Sequence, residues 1–159
     1  MAKDILRRNL MQFAYRGLNN PSVYHDETNL MFPASYRDKF ARLANAYLAA
    51  GDTATAKQVA DKCLAVLPDA AIPYDYYSPT LVPALVAGGE QAQANQLMDV
   101  LLDRTQRGLA YYTSHPDPLM DRELSQHIGT VQQLYLAAQQ VGDAPRAKRA
   151  YQLLAPYLR

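Results

Sequence analysis

The stretch from Ser35 to Pro68 reads SYRDKFARLANAYLAAGDTATAKQVADKCLAVLP. Apolar residues recur in it at helical spacing on both sides of a Gly51-Asp52 pair. They are Phe40, Leu43, Ala44 and Tyr47 before the pair, and Ala56, Ala60, Cys63 and Leu64 after it. Gly51 can adopt the left-handed conformation that ends a helix, and Pro68 cannot continue one. The stretch therefore predicts a hairpin of two helices, with Ser35 and Asp38 capping the first.

The same arrangement occurs twice more, around Gly89-Glu90 and around Gly142-Asp143. The apolar residues of the second copy are Leu81, Val82, Leu85, Ala94, Met98, Leu101 and Leu102. Those of the third copy are Val131, Leu134, Tyr135, Ala138, Ala147, Tyr151 and Leu154. Pro79 and Pro83 stand at the start of the second copy and predict irregular or kinked first turns. Three helical hairpins are therefore expected.

The order of large, small and aromatic residues, Gly-Asp, alanines and a closing proline resembles the tetratricopeptide repeat. This resemblance implies an all-α fold, a right-handed array of antiparallel helix hairpins with about seven helices in all. The turn glycines lie 38 and then 53 residues apart, compared with roughly 34 in a regular array. The extra residues are assigned to two connections, DAAIPYDYY at 69–77 and GLAYYTSHPDPLM at 108–120.

The repeats divide the chain without a domain boundary, so residues 1–159 are expected to form a single domain. Its expected parts are an N-terminal helix within 1–18, a loop at 19–34, repeat 1 at 35–68, repeat 2 at 69–107, a loop at 108–120 and repeat 3 at 121–159. The first helix is predicted over Lys3 to Leu18, because Leu6, Leu10 and Phe13 form one apolar stripe.

The composition excludes several classes of protein. With 16 basic and 15 acidic side chains, the chain has no basic excess that would bind nucleic acid. Its single cysteine, Cys63, excludes an internal disulfide. No apolar run approaches the roughly 20 residues of a membrane-spanning helix, and the first residues lack a secretory signal. Direct insertion into a membrane is therefore not expected.

Three groups of residues are candidates for chemical sites. His25, Asp26 and Glu27 are adjacent in a loop and point in different directions, so exposure or helix capping is the preferred interpretation. The residues His115, Asp117, Asp121 and His127 lack any spacing typical of a zinc site. Cys63 occupies a buried position of the repeat. The sequence therefore predicts no catalytic residue, no cofactor and no metal, and it does not indicate an enzyme.

The tyrosines of the two connections have two possible roles. Tyr74, Tyr76, Tyr77, Tyr111 and Tyr112 could stack on a sugar or on a partner protein. Filling the gaps between hairpins is the more common use of such rings and is the preferred interpretation.

Binding by arrays of this kind usually takes place on the concave face built from the first helix of each hairpin. The predicted partner-binding residues on that face are Asn45, Leu48, Tyr76, Val86, Gln132 and Gln139. The face is expected to lack lysine and arginine, so that only Asn45 could take part in a clamp on a peptide carboxylate. The expected ligand is instead an apolar peptide or helix, unless the protein's own flanking segments cover the groove.

A second resemblance is carried by FAYRGLNNPSVYHDE at Phe13 to Glu27, FARLA at Phe40 to Ala44 and PYDY at Pro73 to Tyr76. These segments resemble the C-terminal soluble region of a bacterial family of large multi-span membrane proteins, classed as protein O-mannosyltransferase-like glycosyltransferases. The resemblance covers nearly the whole chain. It implies that glycosyl transfer belongs to a membrane region outside these 159 residues. No catalytic residue is therefore carried over to this chain.

Under this resemblance the chain is a non-catalytic interaction or scaffold module on the extracytoplasmic side of a membrane protein. Its expected partner is a protein or peptide, with the membrane region of its own parent chain as one candidate. A free-standing cytoplasmic adaptor that binds a peptide is the alternative. A metal hydrolase using His25, Asp26 or His115 is a third and less favoured hypothesis.

Overall fold

The structure is a computed structural model that describes residues 3–158, without the side chain of Glu27. It contains seven α-helices: α1 Lys3–Gln12, α2 Glu27–Ala49, α3 Thr53–Val66, α4 Val82–Ala87, α5 Gln91–Ser114, α6 Asp121–Gln140 and α7 Ala144–Leu154. Short 3₁₀ turns cover Ser78–Leu81, Pro118–Met120 and Ala155–Tyr157. The described residues include no strand, so the expected all-α class is confirmed.

One turn geometry closes all three hairpins. Gly51, Gly89 and Gly142 have φ angles of 80°, 85° and 73°, in the left-handed region that favours glycine. Each glycine N–H donates to a carbonyl three residues back, and the next N–H donates to a carbonyl five residues back. This pattern is the Schellman motif, which satisfies the last carbonyls of a helix. The Gly-acid pairs therefore end α2, α4 and α6 at the predicted positions.

The core is formed by the apolar stripes of the hairpins. α2 packs on α3, α6 packs on α7, and the 3₁₀ turn Ser78–Leu81 contacts both α2 and α6. Phe40, Leu43, Val59, Leu85 and Leu134 are among the fully buried side chains. The second hairpin begins with that 3₁₀ turn and continues in the six-residue α4. The irregular start predicted from Pro79 and Pro83 is therefore confirmed.

The expected loop at 19–34 is wrong in its second half, because α2 already begins at Glu27. Asp26, rather than Ser35, caps α2, and its carboxylate accepts a hydrogen bond of 2.7 Å from the backbone N–H of Asn29. Pro33 lies inside the helix and is buried, although it cannot donate to the carbonyl of Asn29. Repeat 1 therefore has a longer first helix than the predicted range 35–68 allows.

The N-terminal helix is shorter than predicted, because α1 ends at Gln12 instead of Leu18. Leu10 is buried as expected, whereas Phe13 is 52% exposed. Tyr15 takes the inner position: its ring is buried, and its hydroxyl donates to the carbonyl of Leu10. Gly17, with φ of 80°, turns the chain away from the helix direction.

The loop expected at 108–120 is also wrong, because α5 continues to Ser114. Residues 108–114 therefore belong to a helix, and Tyr111 and Tyr112 project from it. Leu109 is buried in this extension, which packs α5 along α6. Pro116 and Pro118 lie after the last residue of α5 and therefore do not interrupt the helix.

Candidate binding groove

A groove lies between α2 and α6, the first helices of the first and third hairpins. Residues 28–34 of α2 and 122–130 of α6 line its wide part, and residues 45–49 and 133–140 of the same helices line its narrow part. The floor consists of residues 72–77 with Thr80 and Pro83. Low-numbered residues of both helices thus meet at one end, so α2 and α6 run along the groove in the same direction.

The narrow part of the groove has a volume of about 470 Å³ and carries no charged side chain. Its lining consists of Asn45, Leu48, Ala49, Thr80, Pro83, Gln133, Leu136, Ala137 and Gln140. Leu136 is 55% exposed there. This part has the apolar and amide character that was predicted for the concave face.

The wide part of the groove consists of two adjoining cavities of about 760 and 470 Å³. Both cavities are lined by Ala34, Tyr74, Asp75, Arg122, Glu123 and Gln126. The larger cavity adds Tyr76, Tyr77, Arg104, Tyr112 and His127, among others. The expected absence of arginine from the groove is therefore wrong in its wide part.

Tyr76 connects the linings of the two parts, because it lines the larger cavity and its hydrogen-bond partner Gln133 lines the narrow part. The hydroxyl of Tyr76 accepts a hydrogen bond of 2.9 Å from Nε2 of Gln133. The ring of Tyr76 lies over Gly129, where an added Cβ would stand only 3.3 Å from the ring. Tyr76 thereby links the floor of the groove to α6.

The floor is held by Arg37, a residue that was not predicted to contribute to the site. Its guanidinium is fully buried and donates to the carbonyls of Leu67, Ile72 and Pro73. It also forms an ion pair of 2.7 Å with Asp75, and it lies 5.7 Å from the ring centre of Tyr74. These bonds fix the backbone that presents the tyrosines at 74–77 to the groove.

A second arginine fixes the same connection from α5. Arg104 binds both carboxylate oxygens of Asp69, each at 2.9 Å, and also donates to the carbonyl of Tyr74. Burial alone would raise the pKa of Asp69, but hydrogen bonds from Arg104 and from the N–H of Tyr74 outweigh it and lower this pKa. Arg37 of α2 and Arg104 of α5 thus both bind the connection at residues 69–77.

His127 lies in the wall of the wide part rather than in a metal site. Its ring packs against Gly108, where a Cβ would collide with it, and lies 5.6 Å from the ring of Tyr112. Burial, followed by the nearby charge of Arg104, lowers the pKa of His127. The neutral ring is therefore the favoured form. Within the described residues, no group of three or more His, Cys, Asp or Glu could hold a metal ion.

The predicted groove residues lie in different places. Leu48 and Asn45 line the narrow part, and Tyr76 lines the wide part. Gln139 lines a separate cavity of about 710 Å³ between α6 and α7. Gln132 is exposed on α6 and lines none of these cavities, while Val86 is half-buried against the core.

Asn45 is not free to clamp a carboxylate. Its Nδ2 donates to the carbonyl of Ala41 at 3.0 Å and to that of Thr80 at 2.8 Å. The side chain therefore ties α2 to the 3₁₀ turn of the second hairpin, and its donors are occupied.

The other candidate residues are dispersed. Asp26 caps α2, His115 stacks on Tyr111 at 4.7 Å, and Asp117 accepts from the N–H of Leu119 at the start of a 3₁₀ turn. Cys63 is fully buried, and burial raises its pKa to about 12. These residues form no common site with His25, which is half-buried beside Asp26.

Comparisons of this chain with protein-family models, curated proteins and solved structures gave no significant match. The two resemblances therefore rest on the sequence segments quoted above. Among the described helices, none is both long enough and apolar enough to cross a membrane.

Proposed function

We propose that this chain is a non-catalytic, tetratricopeptide-like interaction module that binds an extended protein segment in the groove between α2 and α6. The observation that carries this proposal is the pairing of two first helices over a floor held by Arg37 and Arg104. From Met31 to Leu48 the groove extends roughly 25 Å along α2, at about 1.5 Å per helical residue. That length accommodates about eight residues of extended chain.

The resemblance to the glycosyltransferase-like family supports a more specific proposal. The module is the C-terminal domain of a membrane protein, on the extracytoplasmic side, and its bound segment belongs to an acceptor protein or to the parent's own membrane region. Two of the quoted segments also meet in the fold, since the ring centres of Tyr15 and Phe40 lie 5.7 Å apart. Such packing gives these residues a shared structural role.

The gene sequence upstream of Met1 distinguishes this proposal from the alternative of a free-standing adaptor. An open reading frame that continues upstream of Met1 in frame into several membrane-length apolar spans would support the membrane-protein domain. A ribosome-binding site directly before the codon of Met1 would instead support the adaptor. The peptide-binding groove is common to both.

Selection from a display library of random octapeptides tests the groove itself. We expect a family of related sequences, and we expect the selected peptide to shift NMR signals of α2 residues 28–49 and α6 residues 122–140. Failure to enrich any sequence, or shifts confined to α3 and α7, would contradict the proposal.

A further inference from the structure

The wide part of the groove contains one carboxylate that has no partner among the residues that the structure describes. Glu123 lines both cavities, and its Oε2 is buried without a hydrogen-bond partner among the described residues. The other carboxylate of this region, Asp75, is already paired with Arg37 and also accepts from the N–H of Tyr77. Glu123 is therefore the acidic group left for a ligand.

Neither of the neighbouring arginines, Arg104 and Arg122, donates a hydrogen bond to Oε2 of Glu123. Arg104 has both terminal nitrogens engaged, because it binds Asp69 through two hydrogen bonds. Arg122 is exposed, so water can solvate its charge and salt can screen it. A buried carboxylate oxygen, in contrast, needs a donor to offset its loss of water.

The surroundings of Glu123 favour a cationic donor. The rings of Tyr74, Tyr76, Tyr77 and Tyr112 line the larger cavity with it. Aromatic faces attract ammonium and guanidinium groups, and these groups form strong hydrogen bonds to carboxylates. A basic side chain would thus find an acceptor and an apolar wall in the same cavity.

We propose that the wide part of the groove binds a lysine or arginine side chain of the extended segment, with Glu123 as its acceptor. This inference rests on the proposed function and adds the chemistry of the ligand. The uncharged narrow part then takes apolar or amide side chains of the same segment.

NMR titration with blocked amino acids tests the preference without knowledge of the natural partner. The probes are N-acetyl-lysine amide and N-acetyl-arginine amide, with N-acetyl-glutamate amide as the matched acidic control. We expect the two basic probes to shift the amide signals of Tyr76, Gln126 and Thr130, and the acidic probe to leave them unchanged. Equal shifts from all three probes, or none from the basic ones, would overturn the inference.

Two variants assign the effect to one side chain. Glu123→Gln keeps the size of the side chain and removes its charge, so we expect the basic probes to bind at least about tenfold more weakly. Arg122→Gln, on the adjacent residue, should bind them as tightly as the wild type or more tightly. Unchanged binding by a folded Glu123→Gln variant would refute the assignment. If octapeptides bind the groove without any basic preference, this inference fails while the proposed function stands.

Discussion

Arg37 is the residue on which the geometry of the groove most depends. Its burial was not predicted, because a charged residue in a helix is usually exposed. A signal was nevertheless present, since Arg37 precedes Phe40 and Ala44 at helical spacing and so belongs to the buried stripe. Its partners could not be predicted, because the carbonyls of Leu67, Ile72 and Pro73 are 30 or more residues away along the chain.

Replacing Arg37 with methionine should destabilise the protein strongly. The change leaves Asp75 and three carbonyls without their donor, and breaking a buried ion pair costs about 3–5 kcal/mol. Arg42→Met is the matched control, because its ion pair with Asp38 is on the surface and contributes at most about 1 kcal/mol. Urea unfolding measures both. Similar losses in the two variants would contradict the role of Arg37.

His127 should make stability depend on pH in a defined window. Its pKa in the folded protein lies below the ordinary value of 6.5, so the unfolded chain binds the proton more readily. The stability contributed by the neutral ring is therefore fully present above pH 6.5 and decreases as the pH falls from 6.5 towards the folded pKa. In the His127→Gln variant, the free energy of unfolding measured in urea should therefore depend less on pH across this window. The His115→Gln variant, which changes an exposed histidine, should keep the pH dependence of the wild type. Equal pH profiles of the two variants would contradict this role of His127.

At the scale of elements, local signals predicted the three Gly-acid turns, whereas the end of α1, the start of α2 and the end of α5 were misplaced. Each Gly-acid pair specifies a left-handed turn by itself, and all three turns occur where predicted. The start of α2 was misplaced at Ser35, whereas the cap from Asp26 and the burial of Pro33 extend the helix to Glu27. Residues from Gly108 onward were assigned to a connection, whereas Gly108 lies within α5 and leaves room for the ring of His127.

The turn motif gives a prediction at this scale. Gly51→Ala should cost about 1 kcal/mol, because alanine disfavours a positive φ and no neighbour crowds the added Cβ. Gly51→Asn should cost less, since asparagine tolerates the left-handed region. Thermal or urea unfolding of the two variants provides the comparison. Equal stability of the Gly51→Ala and Gly51→Asn variants would mean that the turn can change its conformation.

At the scale of the whole molecule, the groove could be predicted only in part. Repeat spacing predicted Asn45, Leu48 and Tyr76 on one face, and all three line cavities between α2 and α6. The wide part was missed because it combines Tyr74 and Asp75 of the 69–77 connection with Arg104 of α5 and Glu123 of α6, which come together only in the folded chain. The spacing of apolar residues within a repeat does not specify how the connections between repeats position the helices.

The central claim is that a protein segment occupies the groove between α2 and α6, and the affinity of a selected octapeptide for two surface variants tests it most directly. Leu136→Glu introduces a charge into the narrow part, whereas Gln152→Glu introduces the same charge at an exposed position of α7 outside the groove. We predict that Leu136→Glu weakens binding at least about tenfold, because burial of a leucine contributes about 1.5–3 kcal/mol, and that Gln152→Glu leaves it unchanged. Equal affinity of the two variants would contradict the claim.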